Sequence, residues 1–143
     1  MNKKTKIYIA APLFSDAERA YNKELKQKLK KDFDVYLPQE DGLLLVDLIK
    51  RNITFTEASK AIFAADIKAI NDTEILLIVL DGRTVDEGAA LELGYAYCNG
   101  KTCIGLSTDP RRLLSLGHNP MIESCLSGIF NSAEQIEDFI KSR

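Results

Sequence analysis

The chain has 143 residues, a length typical of one domain with a full hydrophobic core. Its composition is 45% hydrophobic and 28% charged with a formal net charge of −2, and no basic stripe is dense enough to bind a nucleic-acid polymer. No segment reaches transmembrane length, and three cysteines without metal-ligand spacing predict reduced thiols in a cytoplasm. We therefore expect one cytoplasmic domain over 1–143 that contacts neither membrane nor nucleic acid.

Strand and helix patterns alternate along the whole chain. An apolar run at 7–11 predicts the first strand, and Ser15 with Glu18 predicts a capping box at the start of a helix that reaches about Lys31. The later predicted elements are a strand at 35–37, a helical stretch at 43–71 broken near Asn52, strands at 75–80 and 101–106 with a helix between them, a loop with helical turns at 107–126, a strand at 128–130 and a helix at 132–141. This alternation predicts a parallel, doubly wound sheet in three α/β/α layers, either Rossmann-like or flavodoxin-like.

The most apolar run of the chain precedes a helix with one charged residue inside it. The six apolar residues 75–80 predict a buried strand, and Thr84 or Asp86 is placed to cap the helix that follows. Every residue over 88–98 is apolar, small or aromatic except Glu92, which is typical of a buried helix. Because an unpaired buried carboxylate is costly, Glu92 needs either a partner or a function.

Two interpretations of Glu92 follow from this position. It is either a structural carboxylate satisfied by an arginine or a backbone amide, or a catalytic group. The helix starts at the carboxyl end of a central strand, where open α/β sheets bind ligands. Asp86 at its start would then share one cleft with Glu92, and two acidic groups in a cleft suit glycosyl chemistry. No G-x-G-x-x-G or Walker pattern supports a dinucleotide or ATP site.

Four segments, taken in order, carry a family resemblance: 7–16, Ala65-Asp66-Ile67, 86–95 and Asn119-Pro120-Met121. With them, the chain resembles the nucleoside 2-deoxyribosyltransferases over nearly its whole length. The resemblance implies a salvage enzyme that exchanges the base of 2′-deoxyribonucleosides through a covalent deoxyribosyl-glutamate, with retention of configuration and without a metal or organic cofactor. The implied partners are deoxynucleosides, free nucleobases and further copies of the chain in a hexamer or dimer.

The resemblance also implies roles for single residues. Glu92 matches the nucleophile, Tyr8 matches the tyrosine that holds the nucleophile's carboxylate, and Asp66 matches a proton donor to the leaving base. Asp86 matches an acidic residue that binds the sugar hydroxyls, and Phe14 matches an aromatic residue that packs on the base.

Four further residues are expected to bind substrate by the same resemblance. Asn119 and Met121 match a segment that, in family hexamers, reaches into a neighbouring subunit's site, with the asparagine at the 5′ end of the sugar. Gly88 belongs to the same motif as Asp86, and Gln39 lies where the family often has polar residues that contact the base.

Each residue also has a structural interpretation. Tyr8 suits the core of a strand, Asp86 suits a helix cap, and Asn119 before proline suits a turn. In the same way, Phe14 would seat the first helix and Asp66 would face solvent.

Two other functions remain open at this stage. Relatives on the same scaffold hydrolyse 5′-nucleotides, which needs a phosphate pocket, and Arg19 and Ser15 lie in the right region for one. A nucleotide-sensing domain would use the same cleft but would gain nothing from a buried reactive glutamate. The segments 10–13 and 37–48 depart from the family pattern, so exchange of purines alone or of purines and pyrimidines stays open.

Overall fold

The fold is built on one five-stranded sheet in which all strands are parallel. We describe it for residues 3–112 and 114–143 from a computed structural model. The strands are β1 (Lys6–Ala10), β2 (Asp34–Tyr36), β3 (Ile75–Val79), β4 (Thr102–Leu106) and β5 (Ile129–Phe130). Their order across the sheet is β2-β1-β3-β4-β5. This is the flavodoxin-like order, so the structure confirms the doubly wound parallel sheet and decides between the two topologies left open.

Helices cover both faces of the sheet and complete the three layers. They are α1 (Asp16–Leu29), α2 (Pro38–Asp41), α3 (Leu45–Lys50), α4 (Phe55–Asn71), α5 (Glu87–Cys98), α6 (Pro120–Glu123) and α7 (Ala133–Lys141). Side chains alternate across each strand, so Ile7 and Ile9 pack with α1 and α7 while Tyr8 and Ala10 pack with α4 and α5. The face that carries Tyr8 is the one that bears Glu92.

The helix boundaries follow the capping signals in the sequence. Ser15 and Glu18 form the predicted capping box at α1, and Thr54 with Glu57 forms a second one at α4. Asn52 adopts a φ of 61° between α3 and α4, a left-handed conformation that asparagine tolerates better than most residues. The predicted break near Asn52 is therefore confirmed, and it separates two helices that both line the site.

The prediction that α5 is buried on all sides is wrong for a single chain. A stripe of Ala89, Leu93 and Ala96 packs on the sheet, whereas Leu91 is 59% exposed and Tyr97 is 55% exposed. A helix with apolar residues on all sides is therefore not always buried in the core. One of its apolar faces can remain exposed in the single chain.

The three cysteines are free thiols. Cys103 lies in the core, where burial raises the pKa of its thiol to about 11. Across 3–112 and 114–143, none of the helices combines the length and the apolar character needed to cross a bilayer.

Candidate active site

Glu92 and Tyr8 meet between α5 and the sheet. The Tyr8 side chain is fully buried, and its hydroxyl and Glu92 Oε2 are buried atoms without a hydrogen-bond partner among the described residues. Burial raises the pKa of Glu92 to about 8; the neighbouring Tyr8 hydroxyl opposes this rise, and the carboxyl groups of Asp66 and Asp86 add to it. Burial and the Glu92 charge raise the pKa of Tyr8 as well, so the phenol stays protonated and is available as a donor.

Asp66 brings a second carboxyl group to the same place from α4. Burial raises its pKa to about 6. Asp66 and Glu92 line one cavity of about 330 Å³ together with Gly88. The rest of its wall comes from α3, α4 and α5 and is mostly apolar: Leu45, Phe55, Ser59, Ile62, Phe63, Ile67 and Leu91. An apolar cavity with a few convergent polar groups is the usual form of a small-molecule site.

Tyr36 is a member of this cluster that the sequence did not reveal. Its ring stacks on the Tyr8 ring with centroids 5.4 Å apart and planes 14° apart. Burial raises the pKa of Tyr36, with smaller contributions from Asp66, Asp41 and Glu92. Tyr36 lies beside Tyr8 because the parallel register of β1 and β2 pairs the two residues. This register cannot be read from the sequence alone.

Asp86 and Phe14 line a cleft next to the Glu92 cavity. Asp86 caps α5, because its Oδ2 accepts a hydrogen bond from the Ala89 amide at 2.9 Å. It also lines a surface cleft with Phe14, whose side chain is 76% exposed. Gly88 lines the Glu92 cavity, and a Cβ at this position would lie 3.2 Å from Asp86 Oδ2. The capping interpretation of Asp86 is thus correct and is compatible with a place in the cleft.

Within one chain, Asn119 and Met121 do not line the Glu92 cavity. Asn119 caps α6 by accepting the Met121 amide at 2.9 Å, and the Met121 side chain is 79% exposed.

The structure does not bring Gln39 to the Glu92 cavity. Its Nε2 donates to the Arg19 carbonyl at 2.9 Å and its Oε1 accepts from Asn22 Nδ2 at 3.0 Å. Both ends of the amide therefore hold α2 against α1.

The chemistry available at this site is that of two carboxyl groups. Each has a raised pKa, so between about pH 6 and about pH 8 the pair retains one proton. One carboxylate and one carboxylic acid in a cavity can act as nucleophile and proton donor. Within 3–112 and 114–143, no three or more histidine, cysteine, aspartate or glutamate side chains are grouped to hold a metal ion.

Comparison with solved structures finds the same fold in full-length matches. A 2-deoxyribosyltransferase from Bacillus psychrosaccharolyticus is 26% identical, with a TM-score of 0.77 over 94% of this chain and 91% of that one. A conserved protein from Enterococcus faecalis V583 is 30% identical, with a TM-score of 0.70 over 98% and 99%.

The sequence comparisons agree. An uncharacterised protein of Ureaplasma parvum serovar 3 is 34% identical over 98 residues, which are 66% of this chain and 61% of that protein's length. The family model described as nucleoside 2-deoxyribosyltransferase matches residues 7–139, nearly the whole chain. The chain therefore belongs to the nucleoside 2-deoxyribosyltransferase family.

Proposed function

We propose that the protein exchanges the base of 2′-deoxyribonucleosides, with Glu92 as the nucleophile. The observation that carries the proposal is the buried Oε2 of Glu92, which has no hydrogen-bond partner among the described residues, on a residue that lines one cavity with Asp66. Buried polar atoms in native proteins nearly always have a partner. A carboxyl that lacks one and has a strongly raised pKa in a cavity is therefore a candidate for chemistry.

In the first half-reaction, the one proton that the pair retains passes from Glu92 to Asp66, and the ionised Glu92 carboxylate then attacks C1′ of the deoxyribose. The bond from C1′ to the base nitrogen breaks, its electron pair goes to the base, and the base takes a proton from Asp66. The products are a free base and a deoxyribosyl ester of Glu92. Because the sugar lacks a 2′-hydroxyl, C1′ supports positive charge readily, so correct placement of the carboxylate is the main requirement.

In the second half-reaction, another base attacks C1′ from the side that the first base left. The ester bond to Glu92 breaks, and the incoming base returns a proton to Asp66. Two displacements at one carbon retain the β configuration. The apolar wall of the cavity suits this scheme, because water competes with the incoming base for the ester.

The surrounding residues have supporting roles in the proposal. Tyr8 donates to the Glu92 carboxylate once it ionises, and Tyr36 holds the Tyr8 ring by stacking. Asp86 binds the sugar hydroxyls from the adjacent cleft, and Phe14 covers the base. Gly88 keeps the cavity wall beside Asp86 free of a side chain.

We further propose that the active form is an oligomer in which Asn119 and Met121 enter the site of a neighbouring copy. Two observations support this part. Both residues lie away from their own chain's cavity, and the mouth of that cavity carries exposed apolar side chains: Phe55 at 65%, Phe63 at 59% and Leu91 at 59%. Apolar patches of this kind mark interaction surfaces.

The proposal is tested by incubating the protein with one 2′-deoxynucleoside and a different free base and following both by chromatography. A cytoplasmic salvage transferase should form the new deoxynucleoside and release free sugar only slowly when no acceptor is present. Glu92→Gln should abolish exchange, while the control Glu24→Gln, exposed on α1 and away from both the cavity and the cleft, should retain it.

Other outcomes would contradict the transferase. Hydrolysis of a 2′-deoxynucleoside 5′-monophosphate without any exchange of the nucleoside would identify a hydrolase. Binding of either compound without turnover would identify a sensing domain.

A further inference from the structure

A second cavity, of about 270 Å³, lies on the other side of the connection between β3 and α5. Its wall comes from that connection, from α5 and from the segment that leads into α6. The ionisable side chains in this wall are two guanidinium groups and one imidazole, those of Arg83, Arg112 and His118. We propose that this cavity binds a phosphate group.

The two guanidinium groups are available to a ligand. Among the described residues, neither Arg83 nor Arg112 takes part in an ion pair. The adjacent Arg111 differs, because it pairs with Asp109 at 2.6 Å and does not line the cavity. A guanidinium group presents planar donors that match phosphate oxygens and bind them with charge-assisted hydrogen bonds.

His118 supplies a third donor at the cavity wall. Its Nε2 is buried and lacks a hydrogen-bond partner among the described residues. The backbone at His118 is held in place, because its amide donates to Glu123 Oε2 at 3.1 Å and Gly117 precedes it with a φ of 64°. A Cβ at Gly117 would lie 2.9 Å from that same oxygen. In the Nε2–H tautomer, the imidazole has a donor that no described residue uses.

The acidic groups closest to His118 accept hydrogen bonds from backbone amides outside the cavity. Glu123 accepts the His118 amide, and Asp81 accepts the amides of Thr108 and Asp109 at 2.6 and 2.9 Å. Neither carboxylate lines the cavity. Burial and the Arg112 charge lower the pKa of His118 despite the opposing charges of Glu123 and Asp81, as expected for a ring that faces a cationic environment.

The rest of the wall fits an anion with an organic body as well as free phosphate. Leu80, Ala90 and Ile122 provide an apolar floor, where low polarity strengthens attraction to the guanidinium groups. The cavity shares Gly82 and other residues of the β3–α5 connection with the Asp86 cleft, so its ligand lies beside the proposed sugar site and outside it. Inorganic phosphate and the 5′-phosphate of a deoxynucleotide are two sources of the same recognised group.

The chain has a single histidine, so the His118 imidazole signals in an NMR spectrum are unambiguous reporters of this cavity. We would titrate the full chain with inorganic phosphate and, separately, with deoxyadenosine 5′-monophosphate, against sodium chloride at equal ionic strength. The variants are Arg83→Gln/Arg112→Gln, the single Arg83→Gln, and Arg51→Gln as a matched control, since Arg51 is exposed at the end of α3.

We expect a saturable shift of the His118 signals with a phosphate-bearing ligand and none with chloride. Loss of both guanidinium groups should weaken binding by about tenfold or more, and the single variant should fall between the double variant and the wild type. Arg51→Gln should bind like the wild type. If inorganic phosphate shifts the His118 signals, the phosphate group alone is enough for binding. If only the nucleotide shifts them, the cavity binds a phosphate ester. Absence of any saturable shift, or equal binding by the double variant, would overturn the proposal.

Discussion

Replacing Glu92 by glutamine measures what the buried carboxyl does to stability, because the amide keeps the shape of the side chain and cannot ionise. Burial raises the pKa of Glu92 from 4.5 to about 8. Between these values the folded chain keeps a proton that the unfolded chain has released. The unfolded state therefore binds fewer protons than the folded state, and the free energy of unfolding falls as the pH rises through this window.

The size of this effect follows from the shift. One pKa unit corresponds to about 1.4 kcal/mol, so the wild type should lose at most about 5 kcal/mol between pH 4.5 and pH 8 through this group. Glutamine removes that loss. For a chain of this length, 1 kcal/mol shifts Tm by roughly 2–4 °C. Tm of Glu92→Gln minus Tm of the wild type should therefore rise between pH 5 and pH 9, by at most roughly 10–20 °C.

The assay is thermal unfolding followed by circular dichroism at several pH values in that range. Glu87→Gln is the control, because Glu87 is exposed on the same helix and its replacement should change Tm by a small amount that does not vary with pH. A Tm difference for Glu92→Gln that stays constant with pH would refute the reasoning. It would show that the Glu92 carboxyl ionises in the folded protein as it does in water.

Three further predictions concern activity. As the pH increases, kcat/KM for the deoxynucleoside should rise with an apparent pKa near 6 and fall with one near 8, because Glu92 and Asp66 must hold one proton between them. Asp66→Asn should remove the fall at high pH. A kcat/KM that does not change with pH would contradict the roles of these two carboxyl groups. Tyr8→Phe should fold and lose roughly 10–100-fold in activity, since a hydrogen bond to a charged group contributes about 1.5–3 kcal/mol; unchanged kinetics would remove Tyr8 from the mechanism. Mixing inactive Glu92→Ala and Asn119→Ala subunits should restore part of the activity through hybrid sites, and a fully active monomer by light scattering would disprove a shared site.

Most of the fold could be predicted because its signals are local. Capping residues such as Ser15 and Ser132 lie directly before the helices they start, and the apolar run at β3 marks a central strand. The order of the strands could not be predicted, because it depends on contacts between residues that are far apart in the sequence. Rossmann-like and flavodoxin-like sheets use the same alternation of elements, and only the pairing of β1 with both β2 and β3 distinguishes them here.

Residues of the candidate site could be predicted where a charged side chain interrupts an apolar helical segment. Glu92 and Asp66 are charged residues in apolar helical stretches, and the structure places both in one cavity. Tyr36 could not be found this way, because a tyrosine fits a strand and only the register places it on Tyr8. Gln39 shows the opposite case, since its polar side chain serves contacts between helices that no sequence pattern displays.

The most direct test of the proposed mechanism is to look for the covalent intermediate. The protein is mixed with a 2′-deoxynucleoside in the absence of an acceptor base, quenched rapidly, and analysed by mass spectrometry intact and after digestion. We predict a mass increase of one deoxyribosyl group on the peptide that contains Glu92. The adduct should disappear when a free base is added before the quench, and Glu92→Gln should not form it. Turnover without an adduct, or an adduct on another residue, would contradict the assignment of Glu92 as the nucleophile.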